Sequence, residues 1–364
     1  MKTQLSLSVG AFVKMLSNAY IRLIESGEAF SRFPSVMLWG APGVGKSQGI
    51  RQIARCMEES TGKRVHITDV RLLLFNPIDL RGIPTANADK TLAVWLKPKI
   101  FQMDESADVV NILFLDEISA APQSVQAAAY QITLDRTVGE HKLPENCIVI
   151  AAGNRVSDKS VAYKMPKALA NRLCHITVES DADSWHAWAV INGIHEKVLA
   201  FLAAYPAMLN NEELASDALA FPTPRTWEMV SNILHMSGED VIGLEPLLVG
   251  CIGAAAAYEF IVWCEVFEKV PDVERIFAGT QDGFASRPEI LFALSSEIVA
   301  YARKHPSKEA IENSIDYIER MPPEFRSIIY NDYRRIKRIR KVLEANRTYH
   351  EWYLRNGYSW DDDE

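Results

Sequence analysis

At positions 40–47 the sequence reads Gly-Ala-Pro-Gly-Val-Gly-Lys-Ser, between the apolar run Val36–Trp39 and a helix-like stretch over Gln48–Glu59. This is a complete GxxxxGKS pattern in the strand–loop–helix setting that a phosphate-binding loop requires. Its glycines allow backbone N–H groups to curl around a β-phosphate, where the positive end of the following helix adds its field. Lys46 would contact the β- and γ-phosphates, and Ser47 would be a ligand of Mg²⁺. The stretch therefore predicts binding of a nucleoside triphosphate.

The composition fits a soluble intracellular protein of more than one domain. The chain has 364 residues, 48% of them hydrophobic, which is enough for two or three domains with full interiors. A formal net charge of −8 disfavours general binding of nucleic acid. The five cysteines are scattered, without a CxxC pair or a zinc spacing, and the histidines show no HExxH pattern. This favours reduced thiols, a cytoplasmic location and no transition-metal site.

Two segments bear on targeting and membranes. The first eight residues lack the apolar core of a signal peptide, and an amphipathic helix is predicted after them over Val9–Phe30. Leu247–Trp263 is apolar except for Glu259, but this length of about 17 residues, with two glycines, makes a poor membrane span. We interpret it as part of a buried helix.

The first half of the chain alternates short apolar runs with helical segments. This alternation predicts an α/β fold in which a parallel sheet is covered by helices on both faces. The predicted strands are Val36–Trp39, Val65–Val70, Asn111–Asp116, Cys147–Ala152 and His175–Val178, with helices near Gln48–Glu59 and Pro122–Leu134.

After about residue 180 the strand signals end and helical stretches follow. We therefore predict an α/β core over residues 1–180, an all-helical domain over 181–305, and a helical C-terminal extension with an acidic tail over 306–364. The predicted helices are Trp185–Asn192, His195–Tyr205, Thr226–His235, Leu247–Phe267, Arg287–Lys304 and Pro323–Tyr349.

A second chemical element is the apolar strand that ends in Asp116 and Glu117, in which Asp116 lies 70 residues after Lys46. Open α/β sheets bind ligands at the carboxyl ends of their strands. Asp116 would hold Mg²⁺ in its coordination shell, and Glu117 would orient the attacking water or accept its proton. A strand that merely ends in an acidic turn is the alternative, and it loses weight beside a complete phosphate loop.

Three further residues are candidates for contact with the phosphates. Asn154 follows the fourth predicted strand, and its amide can touch both a γ-phosphate and the water. Arg172 is either a surface arginine or the forked cation that a neighbouring subunit's γ-phosphate needs in the transition state. Arg225 lies near the start of a helix, with Thr223 or Thr226 as the possible cap, and could reach the same phosphates.

These elements, in this order and spacing, resemble the AAA+ ATPases, and most closely their MoxR-like branch. The resemblance implies a P-loop core that hydrolyses ATP with Mg²⁺, followed by a helical lid. It makes Asn154 the sensor 1 residue, Arg172 the arginine finger and Arg225 the sensor 2 residue. The Walker B pair is Asp116-Glu117, and Walker A supplies the nucleotide-binding residues Gly40, Ala41, Pro42, Gly43, Val44, Gly45, Lys46 and Ser47.

Two segments look like insertions of this branch. Residues 76–101 resemble the helix-2 insert, and residues 133–144 resemble the hairpin before sensor 1. Trp95, in the first of these, either faces a pore or packs the insert. Gly-Asn-Arg at 153–155 departs from the branch's more usual Asn-Pro, so Arg155 has no assigned role.

The resemblance further implies a ring, expected to be a hexamer, with ATP held between subunits. MoxR-like ATPases typically act as chaperone-like activators beside a partner with a von Willebrand factor A domain, and this is the function expected here. Two alternatives stay open: a nucleic-acid-directed machine such as a restriction-type translocase, and a slow switch whose ATP binding controls assembly. A partner protein should stimulate the ATPase in the first case, nucleic acid in the second, and neither in the third.

Two further patterns favour structural roles. Trp185 and Trp188 lie three residues apart on one helix face, which favours core packing over a partner contact. Residues 334–341 include six basic side chains in eight. At helical spacing they favour a solvated helix, facing the acidic tail at 361–364, over a site for nucleic acid or an acidic partner.

Overall fold

The computed structural model describes residues 5–155, 165, 170–211, 219–237, 241–265, 269–281, 283 and 286–356. The chain divides into two compact units, residues 1–181 and 182–364. The first contains strands and helices, and the described part of the second is helical.

The first unit is built on a parallel sheet. Its strands, numbered in chain order together with those of two small hairpins, are β1 Ser6–Leu7, β2 Val36–Trp39, β3 Arg64–Arg71, β4 Ile83–Ala86, β5 Ala93–Leu96, β6 Val109–Asp116, β7 Thr137–Val138, β8 His141–Lys142, β9 Cys147–Gly153 and β10 Cys174–Val178. The six-stranded sheet has the order β1-β10-β2-β9-β6-β3. Strand β9 therefore separates β2, which leads into the loop at 40–47, from β6, which ends in Asp116.

Both faces of this sheet are covered, which confirms the predicted α/β class. Alternate residues of β2 enter different cores: Val36 and Leu38 lie in one, and Met37 lies in the other. A strand buried on both faces reads as an uninterrupted apolar run, and this is why β2, β6 and β9 stand out in the sequence. The helices of this unit are α1 Val9–Glu25, α2 Lys46–Thr61, α3 Pro77–Arg81 and α4 Gln123–Asp135.

The beginning of the chain differs from the prediction. Helix α1 ends at Glu25 instead of continuing to Phe30, because Gly27 follows in a left-handed conformation (φ +65°). Strand β1 was not predicted, and it pairs in parallel with β10 through Ser6↔Thr177 and Leu7↔Val178. A two-residue edge strand carries too little sequence pattern to be recognised.

Two hairpins lie in the segments that resemble insertions. Residues 76–101 contain α3 and the antiparallel pair β4–β5, with Ile83 opposite Leu96. Residues 133–144 contain the pair β7–β8. The hairpins meet where the His141 ring nitrogen Nε2 lies 2.8 Å from the carbonyl oxygen of Trp95. Trp95 is half-buried in this arrangement.

The second unit is a helical assembly around one hydrophobic core. This core draws on residues from Trp185 to Tyr353 and so includes side chains on both sides of residue 306. Trp185 is buried in it and Trp188 packs against it, which agrees with a packing role for this pair. Its helices are α5 Ala182–Asn192, α6 Glu196–Ala204, α7 Pro224–Ser237, α8 Glu245–Ile252, α9 Ala254–Cys264, α10 Val273–Phe277, α11 Pro288–Lys304, α12 Lys308–Ile318, α13 Pro323–Arg335, α14 Lys337–Leu343 and α15 Arg347–Arg355.

The prediction of one continuous helix over Leu247–Phe267 is wrong. It is divided at Gly253, whose φ of +79° and ψ of 160° end α8 and begin α9. A Cβ atom at this position would lie 2.7 Å from the carbonyl oxygen of Ala220, so only glycine fits the corner. Among the described residues, no helix is long and apolar enough to cross a membrane.

The prediction of one continuous helix over Pro323–Tyr349 is also wrong. It is interrupted at Ile336, which adopts an extended backbone (φ −95°, ψ 103°), and again before α15, where the Asn346 side chain accepts from the backbone N–H of Tyr349. The basic run is thereby split between α13 and α14. Two of its members make local ion pairs, Arg335 with Asp332 at 2.6 Å and Arg340 with Glu344, the C-cap of α14, at 2.8 Å. The acidic tail at 361–364 lies outside the described residues.

Candidate nucleotide-binding site

The loop at 40–47 connects β2 to α2 as the sequence predicts. The backbone N–H of Gly40 donates to the carbonyl oxygen of Gly153 at 3.2 Å, which ties the start of the loop to the end of β9. Gly45 closes the loop with a φ of +104° and caps α2 at its N-terminus. The first turn of α2 thus turns its N–H groups and the positive end of a 16-residue helix toward the loop. This arrangement favours an anion such as a phosphate.

Lys46 is buried with its ammonium group at the centre of this loop. The residue as a whole is only 8% exposed. The Nζ atom donates to the carbonyl oxygens of Gly40 and Ala41, the second at 3.0 Å, and to Oδ1 of Asn154 at 3.1 Å. A phosphate oxygen would be a stronger acceptor for this cation than these neutral oxygens, because charge-assisted hydrogen bonds are the stronger ones.

Ser47 and Asp116 meet across the sheet edge. The Ser47 hydroxyl donates to Oδ2 of Asp116 at 2.8 Å, although the two residues are 69 positions apart. A hydroxyl and a carboxylate are hard oxygen ligands, and Mg²⁺ is usually held by one or two such groups together with substrate phosphates and water. The pair therefore fits a magnesium site. Within the described residues, no group of three or more His, Cys, Asp or Glu side chains forms a separate metal cluster.

Glu117 and Asn154 flank this pair. Glu117 has a left-handed backbone (φ +58°), and its N–H donates to Oδ1 of Asp116 at 2.8 Å. Asn154 follows β9 directly, and its N–H donates to the hydroxyl oxygen of Ser119 at 2.9 Å. Since β9 lies between β2 and β6, the Asn154 amide is placed between the phosphate loop and the two carboxylates.

The comparisons with known proteins agree with this geometry. Residues 35–175 match the family model described as "ATPase family associated with various cellular activities (AAA)". These residues form an AAA family ATPase domain. The protein is therefore an ATPase, and the AAA domain includes every strand and loop of the site described above.

Solved structures show only distant similarity. C. elegans PCH-2 is 13% identical with a TM-score of 0.35, and the alignment covers 70% of this chain and 68% of that one. A mutant of RuvB from Thermotoga maritima is 15% identical with a TM-score of 0.37, covering 80% and 84%. Similarity at this level carries no argument about function. Among curated proteins, no sequence matches the chain significantly.

Two further predicted site residues are found elsewhere along the chain. Arg172 is exposed in the turn that precedes β10, at the amino-terminal edge of the sheet. Arg225 is exposed in the first turn of α7, in the second unit. Thr223 caps this helix, because its hydroxyl oxygen accepts from the N–H of Thr226 at 3.1 Å while the Thr226 hydroxyl oxygen accepts from the N–H of Thr223 at 2.8 Å.

The AAA domain also contains site residues that the motifs did not reveal. Ser119 is buried and orients Asn154, as described above. Asp69, on β3, has a raised carboxyl pKa, mainly because of partial burial and also because of the negative charge of Asp116. Arg155 lies 3.5 Å from Glu179 in an ion pair. Each of these contacts joins residues that lie in, or just after, different strands, so the linear sequence gives no signal for them.

Proposed function

We propose that the protein is a MoxR-like AAA+ ATPase that assembles as a ring and uses ATP hydrolysis to remodel or mature a partner protein in the cytoplasm. The observation that carries the proposal is the convergence of Lys46, Ser47, Asp116, Glu117 and Asn154 at the carboxyl edge of one sheet. The wider role follows from the resemblance of the motif series to the MoxR-like branch.

The cluster suggests a role for each side chain. Lys46 binds the β- and γ-phosphates, and Asn154, which already shares a hydrogen bond with Lys46, contacts the γ-phosphate. Ser47 and Asp116 hold Mg²⁺, which neutralises charge on the phosphates during transfer. Glu117 orients the attacking water and accepts its proton. Together these groups supply positioning and charge stabilisation, which are the main requirements of phosphoryl transfer.

The position of Arg172 supports a ring. Cys174, two residues after it, pairs with Val36 at the beginning of β2, and the phosphate loop starts four residues later at Gly40. At about 3.3 Å per residue this is a separation of roughly 13 Å along the strands. That exceeds the length of an arginine side chain, so Arg172 is better placed to serve a nucleotide bound by the next subunit. In well-studied cases such an arginine contributes about 10³–10⁵ in rate.

Arg225 is assigned to the same nucleotide from the helical lid. Its place in the first turn of α7 and its exposure suit a side chain that contacts phosphate. Rotation of a lid with the nucleotide state is a common way to convert hydrolysis into movement of a ring. We assign six subunits to the ring and a von Willebrand factor A domain to the partner, both by analogy with the family.

The partner is best captured with a variant that binds ATP without hydrolysing it. Glu117→Gln keeps the shape and the magnesium ligands of the site, and turnover should fall by about 10²-fold or more. With ATP present, the tagged variant should retain a partner protein from a lysate of its own cells. Lys46→Ala, which loses the phosphate-binding cation, is the matched control and should retain none.

The retained protein, once purified, should then stimulate the wild-type ATPase. The proposal is contradicted if DNA or RNA stimulates turnover and no retained protein does. If neither nucleic acid nor a retained protein stimulates turnover, the result would instead indicate the slow switch whose ATP binding controls assembly.

A further inference from the structure

We propose that His175 is a positioning residue that links the end of β2, directly before the phosphate loop, to the turn that presents Arg172. The inference rests on the proposed function, because it assigns a device that controls the arginine offered to the neighbouring subunit. It is carried by a chain of two hydrogen bonds, from Trp39 through the His175 ring to Ala170.

The first bond fixes the protonation of the histidine ring. The indole Nε1–H of Trp39 donates to Nδ1 of His175 at 2.8 Å. An indole N–H can only donate, so Nδ1 must be the unprotonated nitrogen. The ring proton of the neutral histidine then lies on Nε2. The two ring planes are nearly parallel, with centroids 6.0 Å apart and an interplanar angle of 17°.

The second bond uses that proton. Nε2 of His175 lies 2.6 Å from the carbonyl oxygen of Ala170, and the tautomer set by Trp39 makes Nε2 the donor. The same carbonyl oxygen accepts the backbone N–H of Leu173 at 3.3 Å. Ala170 is half-buried and Leu173 is buried, whereas Arg172 between them is exposed. The histidine thus holds the base of the turn from which Arg172 projects.

The two hydrogen bonds connect the carboxyl ends of the strands, where the phosphate loop begins, to the amino ends, where Arg172 lies. Trp39 is the last residue of β2, and the next residue, Gly40, begins the phosphate loop. His175 lies in β10, where it pairs with Met37 of β2, three residues after Arg172. A shift of the loop on binding or releasing nucleotide would move the Trp39 indole and, through His175, the turn. The nucleotide state of one subunit would in this way set the position of the Arg172 side chain that it offers to the next subunit.

The test is a double-mutant cycle on turnover. His175→Phe keeps an aromatic ring against Trp39 and removes both nitrogens, and it should lower kcat about tenfold, the effect of one lost hydrogen bond, with little change in KM for ATP. Adding it to Arg172→Ala should cause no further loss, because His175 acts through Arg172. Independent, multiplicative losses would overturn the proposal.

Two conservative variants keep the test informative if His175→Phe fails to assemble. His175→Gln retains an amide donor that can reach the Ala170 carbonyl, and His175→Asn retains an acceptor for the Trp39 indole. The glutamine variant should recover more turnover than the asparagine variant, because the bond to the turn holds Arg172. The reverse order would contradict the proposal.

Mixed rings distinguish failure of this inference from failure of the proposed function. His175→Phe subunits have a sound phosphate loop, so mixing them with Lys46→Ala subunits should raise activity per sound loop, as mixing Arg172→Ala with Lys46→Ala should. Recovery with Arg172→Ala but not with His175→Phe would show that His175 acts within its own site and would overturn the inference alone. If neither mixture recovers activity, the shared ring site itself is wrong, and the inference falls with it.

Discussion

Glu117 adopts a backbone conformation that few side chains tolerate. Its φ of +58° is left-handed, and its N–H is held by the carboxylate of Asp116 at 2.8 Å. For a residue other than glycine this conformation costs about 1–2 kcal/mol. Strain of this kind persists where the surrounding structure fixes a functional group. Here it falls on the residue to which we assign the attacking water.

A glycine and an alanine at this position separate strain from chemistry. Glu117→Gly and Glu117→Ala both remove the carboxylate, and both should lower turnover by about 10²-fold or more. The glycine variant should be the more stable by roughly 0.5–1 kcal/mol, because glycine adopts positive φ without strain but loses more chain entropy on folding. Chemical unfolding of the two proteins measures this difference. An alanine variant as stable as the glycine variant would show that the backbone is not strained.

Sequence alone could predict the phosphate loop and the carboxylate pair because each is a short linear pattern with a chemical reason for its spacing. Ser119 and His175 could not be predicted in this way. Their contacts join positions 35 and 136 residues apart, to Asn154 and Trp39, and exist only once the strand order is known. The roles assigned to all the site residues, from Lys46 and Glu117 to Arg172 and Arg225, remain predictions.

At the scale of elements, burial decides what the sequence reveals. Strands covered on both faces appear as apolar runs, and all five predicted strands are present within one or two residues at each end. The corner at Gly253 is hidden, because the sequence on both sides of it is apolar and helix-forming. What restricts the corner to glycine is the close approach of the Ala220 carbonyl, a contact made only in the folded unit.

The corner at Gly253 gives a matched pair of substitutions. Gly253→Ala should lower the stability of the second unit by at least about 2 kcal/mol, since it places a side chain in a glycine-only conformation and against the Ala220 oxygen. Gly250→Ala is the control: it lies in α8, and a Cβ atom there meets nothing within 4 Å. It should stabilise the helix by about 0.5–1 kcal/mol. Thermal unfolding of both variants checks this. Similar losses of stability in the two variants would contradict a special requirement for glycine at the corner.

The cap of α6 should make the second unit sensitive to acid. His195 Nδ1 accepts from the N–H of Lys197 at 3.2 Å, and burial lowers the pKa of His195 to about 4. In the unfolded chain its pKa is about 6.5. The unfolded state therefore binds the proton first, and stability should fall as the pH drops from about 6.5 to 4, by up to about 3 kcal/mol.

Two variants check the source of this acid sensitivity. His195→Asn retains a good capping acceptor and removes the titrating group, so stability in this pH range should become flatter. His195→Ala removes both the titrating group and the cap, so it should be about 1 kcal/mol less stable than His195→Asn at every pH. Unfolding curves measured between about pH 4 and 6.5 test this. If the free energy of unfolding of the asparagine variant changes with pH as steeply as that of the wild type, other groups cause the acid sensitivity.

At the scale of the whole molecule, the two edges of the sheet have different roles in our account. The carboxyl edge holds the groups that bind ATP, and the amino edge carries Arg172. A single chain then contains both halves of a site but cannot bring them together, so activity should depend on assembly. In a closed ring each subunit would complete the site of one neighbour and be completed by the other.

Mixing two inactive variants tests this central claim most directly. Lys46→Ala removes the phosphate-binding cation and Arg172→Ala removes the arginine, so each should form rings with little ATPase activity. In an equal mixture, about a quarter of the interfaces should join a sound phosphate loop to a sound arginine. The account predicts that ATPase activity rises toward about that fraction of wild type on mixing. If the variants co-purify in mixed rings and no activity returns, catalysis is not shared between subunits and the account is contradicted.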